Sequence, residues 1–252
     1  MVYPAQRPPT YRKRKKKKKK MSMLPFIIII IIILICTGVG FLYFSYSRLS
    51  TSKAMTDDTV DYLFYLSDRE EVYFIRTDLS GRINYLISFP KISYEPIMAI
   101  SVDLETPKEM FRSVEKLFGS SDLNYYASID EKAFEKIMAI SDLSEDISYE
   151  TLTIDQFADV LDSINLNTFE FMLYGKTEDF ISILVDNNYS KDGGYRLLSS
   201  IKNYANKSVP MTFMTKEPVS ITLTDNEGEK KQFKRLYIDD KSLETIMEFM
   251  KE

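Results

Sequence analysis

Four consecutive charged residues, Asp68-Arg69-Glu70-Glu71, stand between two apolar runs, and a Gly193-Gly194 pair stands before a helical pattern. The quartet is either a functional cluster or a solvated loop between strands. The glycine pair is either a flexible turn or a phosphate cradle, because backbone N–H groups and the helix dipole favour an anion at a helix start. Composition narrows the chemistry. The chain has no His, no Trp and one Cys, Cys36. Ser–His and Cys–His catalysis are excluded, as is any His-ligated metal. A metal here would be oxygen-ligated, magnesium or calcium. No phosphate-binding glycine loop, nucleophile elbow or zinc spacing occurs.

The segment that places these residues in the cell is N-terminal. Nine basic residues, Arg12 to Lys20, precede a run from Phe26 to Phe44 that carries no charge and includes Ile27 to Ile33. Hydrocarbon solvates neither charge nor unpaired backbone, so the run is expected to span a bilayer as a helix. Lys and Arg beside a span stay on the cytoplasmic side. The expected arrangement is a single-pass protein of the cell membrane, with its N-terminus cytoplasmic and its C-terminal domain extracytoplasmic. A cleaved signal peptide is disfavoured by the length of the run. Ile35 before Cys36 disfavours lipid modification. A nuclear or nucleic-acid role for the lysines is weaker than a topology signal with some attraction for anionic lipid.

Residues 1–53 carry twelve basic residues and no acid, so 21 of the 33 basic residues and all 37 acidic residues lie beyond them, a net charge of −16. Such a surface argues against nucleic acid as a partner. Cys36 lies in the apolar run, so the outer domain must fold by packing without a disulfide.

The expected organisation is a basic tail over 1–23, a transmembrane helix over 24–47 with Tyr43, Phe44 and Tyr46 as an aromatic collar, a linker over 48–58 and one domain over 59–252. Residues 60–66, 71–77, 83–89, 97–104 and 123–129 read as strands, and Asp78 to Gly81 as a turn. Thr106, Pro107 and Glu109 mark the start of a helix ending at Gly119, and Asp130 caps a second helix over 131–140. Beyond these, 147–154 reads as a strand, and 156–164, 179–185 and 195–205 as helices. Residues 219–224 and 232–238 read as a hairpin about Asp225 to Gly228, and 242–251 as a closing helix. The fold class is α/β: a mixed α/β sandwich, a central sheet flanked by helices, preceded by one transmembrane helix.

This layout resembles the extracytoplasmic domain of the LytR–CpsA–Psr family from about residue 60 to 140, and more faintly to 207. The best stretch is Val114 to Ile140, "VEKLFGSSDLNYYASIDEKAFEKIMAI", where the family has a helix, a Gly, a strand with paired Tyr, an acidic cap and a helix holding Phe. Family members transfer glycopolymers from polyprenyl-pyrophosphate carriers to the cell wall with magnesium. The resemblance implies that Asp68, in "YLSDREE", and Glu71 hold the metal. It implies that Arg69 and Lys91 are catalytic, and that Arg69, Lys91 and Arg196 contact substrate phosphate. The family's Arg-x-Asp becomes Arg69 and Glu71 without the intervening loop. Its Pro-Arg-Asp becomes Pro90-Lys91-Ile92, and the Arg partners of Arg196 are absent.

Carboxylate-held magnesium and Arg or Lys clamps would stabilise charge growing on a pyrophosphate leaving oxygen. Lys lacks the bidentate fork of Arg, so the substitutions weaken that clamp. Two functions are compatible with this pattern: a magnesium-dependent glycopolymer phosphotransferase of cell-envelope biogenesis with a degenerate site, or a non-catalytic envelope binding or scaffold protein of the same fold. Tyr125, Tyr126, Phe134 and Tyr195 read as core.

Overall fold

With no charged side chain from Phe26 to Phe44, nothing competes with backbone hydrogen bonding, and the run lies within one helix, α1, Leu24–Ser50. The computed structural model describes residues 23–119, 121, 123–144, 147–167, 169–224 and 230–250. The basic block and the Asp225 to Gly228 turn lie outside them. Among the described residues, α1 is the one helix long and apolar enough to cross a membrane. Its Thr37 returns its hydroxyl to the Ile33 carbonyl at 2.8 Å, satisfying that group within the helix. The chain divides into two compact units, Met1–Tyr43 and Phe44–Glu252. The second unit contains both β-sheets and their flanking helices.

After a short helix, α2, Lys53–Thr56, comes a three-stranded meander: β1, Thr59–Leu66, β2, Glu71–Asp78, and β3, Ile83–Pro90. The β2–β3 turn is held by Asp78, whose Oδ1 accepts from the N–H groups of Ser80 and Gly81. Next come β4, Ser93–Glu95, β5, Ile100–Ser101, α3, Pro107–Phe118, β6, Leu123–Ile129, and α4, Glu131–Ile140. The caps read from the sequence are formed: Thr106 accepts from Glu109 N–H, and Asp130 from Ala133 N–H.

The second half contains a 3-10 turn, Tyr149–Thr151, then α5, Ile154–Asp162, α6, Glu170–Leu173, α7, Gly175–Ile183, and α8, Lys191–Asn203. It closes with β7, Ala205–Ser208, β8, Val219–Thr224, β9, Lys230–Tyr237, and α9, Asp240–Phe249.

One sheet has the order β6-β1-β2-β3-β7, with β6 parallel to β1 and β7 parallel to β3. A second has the order β5-β4-β9-β8. Both faces of the central strands β1, β2 and β3 are buried, which is why they read as continuous apolar runs. Tyr62, Phe64, Tyr73 and Ile75 face a core completed by Phe134, Phe157, Phe180 and Leu197. Leu63, Phe74, Ile87 and Phe89 face a second core completed by Met110, Val114, Leu117, Ile238 and Ile246. The α/β class with helices flanking the sheets is therefore what the chain adopts.

Four local expectations are corrected. Residues 147–154 form the 3-10 turn and the start of α5. Tyr149 is drawn into the core against Phe134, and a capping box between Thr153 and Gln156 begins α5. The expected strand over 97–104 shrinks to β5, paired with β4. Ala205 belongs to β7 instead of the helix before it, pairing with Ile83. The Gly193-Gly194 pair lies inside the first turn of α8, capped by Ser190. A Cβ at Gly193 would collide with the Tyr125 ring, so close helix–sheet packing requires glycine there.

Candidate functional site

The register of the meander places the β1–β2 turn beside the end of β3, with Leu66 opposite Glu71 and Glu71 opposite Pro90. Lys91 N–H donates to the Glu70 carbonyl at 2.7 Å. Glu70 itself sits at φ 51°, left-handed backbone that a non-glycine residue adopts at a cost. Asp68, Arg69, Glu71 and Lys91 are thereby brought to one end of the sheet.

Each side chain is already engaged. Asp68 Oδ2 accepts from Glu131 N–H at 3.0 Å, at the start of α4, and Asp130 caps the same helix. Two carboxylates thus meet the positive end of a helix dipole. Arg69 donates through Nη1 to the carbonyls of Tyr149 at 2.9 Å and Leu152 at 2.5 Å, and through Nη2 pairs with Glu71. Tyr73 OH also donates to Leu152 O, at 2.6 Å, and Tyr149 OH donates to Ile129 O. Lys91 Nζ lies 3.5 Å from Asp103 Oδ1 and 5.6 Å from the Tyr65 ring centre.

Burial raises the Glu71 carboxyl above its ordinary range, and the Arg69 charge opposes that. Burial also raises the Tyr73 and Tyr149 phenols, with Glu71 and Asp68 respectively adding to the effect. Both phenols therefore act as donors at neutral pH.

Arg196 is not part of this cluster. It lies in α8, 1 % exposed, with Nη1 donating to Met55 O at 3.3 Å and its guanidinium 5.9 Å from the Tyr204 ring centre. Its Nε and Nη2 are buried and without a hydrogen-bond partner among the described residues. Tyr204 precedes Ala205, which pairs with Ile83 at the opposite end of the meander from Pro90. Seven strand residues at about 3.3 Å each separate the two ends by roughly 23 Å.

For magnesium, the engaged oxygens leave Asp68 Oδ1 and Glu71 Oε1. No group of three or more Cys, Asp or Glu side chains suited to a metal occurs among the described residues. Two carboxylate oxygens with water and phosphate oxygens are a donor set that magnesium accepts. A cage made wholly of protein is not.

Sequence reasoning did not link Asp103, Asp130, Tyr73 or the Tyr149 and Leu152 carbonyls to the quartet. Asp130 was legible as a cap, and its nearness to Asp68 comes from the parallel β1–β6 pairing, which puts Leu66 beside Ile129. Of the aromatic residues, Tyr125 and Phe134 are buried in the core, while Tyr126 and Tyr195 are half-buried.

No protein-family model and no curated protein matches the chain. Solved structures do. Bacillus subtilis TagV aligns with a TM-score of 0.52 at 11% identity, covering 78% of this chain and 97% of TagV. Lmo1026 of Listeria monocytogenes aligns at 0.47 and 18% identity, covering 79% and 97%. A LytR-CPS2A-psr family protein, YwtF (TagT), solved with bound octaprenyl pyrophosphate lipid, aligns at 0.45 and 12% identity, covering 77% and 89%. These likenesses concern the fold.

Proposed function

We propose that this chain, which shares the fold of TagV, is a single-pass envelope protein of the LytR–CpsA–Psr class that engages a polyprenyl-pyrophosphate-linked glycopolymer. Its N-terminus lies in the cytoplasm and its domain outside. The observation that carries the reading is the convergence of Asp68, Arg69, Glu71 and Lys91 at one end of the meander. Support also comes from the "VEKLFGSSDLNYYASIDEKAFEKIMAI" resemblance and from the apolar helix α1.

Two cations, Arg69 and Lys91, stand among the carboxylates of Asp68, Glu71, Asp103 and Asp130. A pyrophosphate entering this surplus of negative charge needs a divalent ion to offset repulsion. Magnesium would be held by Asp68 and Glu71 with the phosphate oxygens, and would neutralise charge on them. Lys91 supplies a point charge, and Arg69 the remaining clamp.

A specific observation favours carrier binding without turnover. Arg69 uses Nη1 on two backbone carbonyls and Nη2 on Glu71. A transferase clamp must meet growing charge at the leaving oxygen, and a guanidinium already committed to its own chain does so poorly.

Equilibrium binding of a short polyprenyl pyrophosphate to the detergent-solubilised full chain tests the reading. Binding that weakens in Lys91→Ala supports it, and unchanged binding removes the site assignment. Release of polymer onto an acceptor then separates the transferase from the binder.

A further inference from the structure

We infer that the edge of β5, with the groove between it and α3, docks an extended peptide segment of a partner protein that carries an acidic residue beside apolar ones. This surface adjoins the charged cluster, since Asp103, the partner of Lys91, lies between Ser101 and Leu104, but its occupant is argued from the strand edge and Lys116 and does not depend on the function proposed there.

β5 is the terminal strand of its sheet. Tyr94 pairs with Ser101, and Val102 N–H donates to Ser93 O at 3.1 Å. Antiparallel pairs alternate between hydrogen-bonded and non-hydrogen-bonded. Ser93–Val102 is of the first kind, so Tyr94–Ser101 is of the second. The N–H and C=O of Ser101 therefore point away from β4, toward the open edge. On this two-residue strand, that one outward N–H and C=O pair is what the edge offers to an added strand.

The approach to β5 is built and held. Glu95 is 1 % exposed, and its carboxylate accepts from the N–H groups of Ile97 at 2.8 Å and Met98 at 2.5 Å. Ala99 is held at φ 55°, a left-handed conformation costing a non-glycine residue about 1–3 kcal/mol. This turn presents Ile97, 76 % exposed, and Met98, 51 % exposed, to solvent. Burying a carboxylate to display two large apolar side chains is costly unless something covers them.

Beside the edge runs an open groove of about 690 Å³ lined by Met98, Ala99, Ile100, Leu104, Ser113 and Lys116. Its walls are largely apolar. Its one charged residue is Lys116 of α3, an exposed cation without an ion pair among the described residues. An edge strand beside a helix, with a groove between them, is the geometry of strand addition: main-chain bonds supply affinity, and pockets for alternate side chains supply choice. The lysine stands on a domain of net charge −16, so it selects an acid at one position while the surface repels acidic partners elsewhere.

The test is selection of phage-displayed linear peptides on the detergent-solubilised full chain, with affinities of the synthesised winners measured by fluorescence anisotropy. Enriched peptides should share apolar residues at alternate positions and one acid. Ser101→Pro removes the outward N–H and leaves the β4 pairing, and should weaken binding about tenfold or more. Lys116→Glu, at an exposed position in the last turn of α3, should shift the preference from acid to base in the folded chain. No enrichment, or winners indifferent to both substitutions, overturns the proposal. Sedimentation of the full chain supplies the other occupant: self-association abolished by Ser101→Pro assigns the groove to a second copy and also overturns it.

Discussion

Arg69 Nη1 lies 2.5 Å from the carbonyl oxygen of Leu152, so the β1–β2 turn is tied to the segment that begins α5. The same nitrogen reaches Tyr149 O, and Tyr73 OH converges on Leu152 O. This small network holds a stretch that the sequence marks as a strand.

Arg69→Ala should cost about 1–3 kcal/mol of stability, because it leaves buried carbonyls short of donors. Tyr73→Phe should cost about 1 kcal/mol through the same oxygen. Urea unfolding of both variants and of the double variant checks this. Coupling between them confirms a shared acceptor, and strict additivity contradicts it.

Alkaline pH gives a second readout. Burial is the leading cause of raised phenol values at Tyr62, Tyr73, Tyr125, Tyr149, Tyr174, Tyr189 and Tyr195; Tyr174, which also donates to Asp192, is pushed up to about 12. The unfolded chain releases these protons near the ordinary value of about 10, whereas the folded chain retains them, so stability is present below that pH and falls as pH rises above it. Phenolate absorbance of these residues should appear together with loss of folded structure. A full tyrosine titration near the ordinary value in a chain that stays folded would contradict the buried placement.

The Asp61–Arg76 pair gives a third prediction. Arg76 meets both Asp61 oxygens, at 2.7 and 2.6 Å, and also closes α3 through the carbonyls of Phe118 and Gly119. Arg76→Ala strands a buried carboxylate and should cost about 3–5 kcal/mol. Pairing Arg76→Met with Asp61→Leu should restore much of that loss in thermal unfolding, since the repacked pair leaves no charge unmet.

Gly193→Ala should destabilise by about 1–3 kcal/mol through its clash with Tyr125, while carrier binding per folded molecule is unchanged. Weakened binding in the folded fraction would instead return the glycine pair to the role of phosphate cradle.

What the sequence made legible was what local chemistry decides. Thr106, Pro107, Asp130 and the aromatic runs of β1 to β3 mark their own elements, and all formed. The 3-10 turn was illegible because the carbonyls of Tyr149 within it and Leu152 just after it are satisfied by Arg69 and Tyr73, distant in sequence. β7, Ala205–Ser208, carries no apolar alternation and exists only through pairing with β3. Asp68 to Glu71 could be singled out because they are contiguous. Asp103 and Asp130 join them only through sheet topology. Arg196 is carried to the other end of the meander by the path of α8, which no local pattern encodes.

The measurement that bears most directly on the central claim is the thermal midpoint of the full chain in micelles, titrated with a short polyprenyl pyrophosphate with and without magnesium. Ligand held by the native state raises the midpoint by mass action. The account predicts a rise that requires magnesium and shrinks in Lys91→Ala. A midpoint that does not move at saturating ligand, in a chain that unfolds cooperatively, would contradict it.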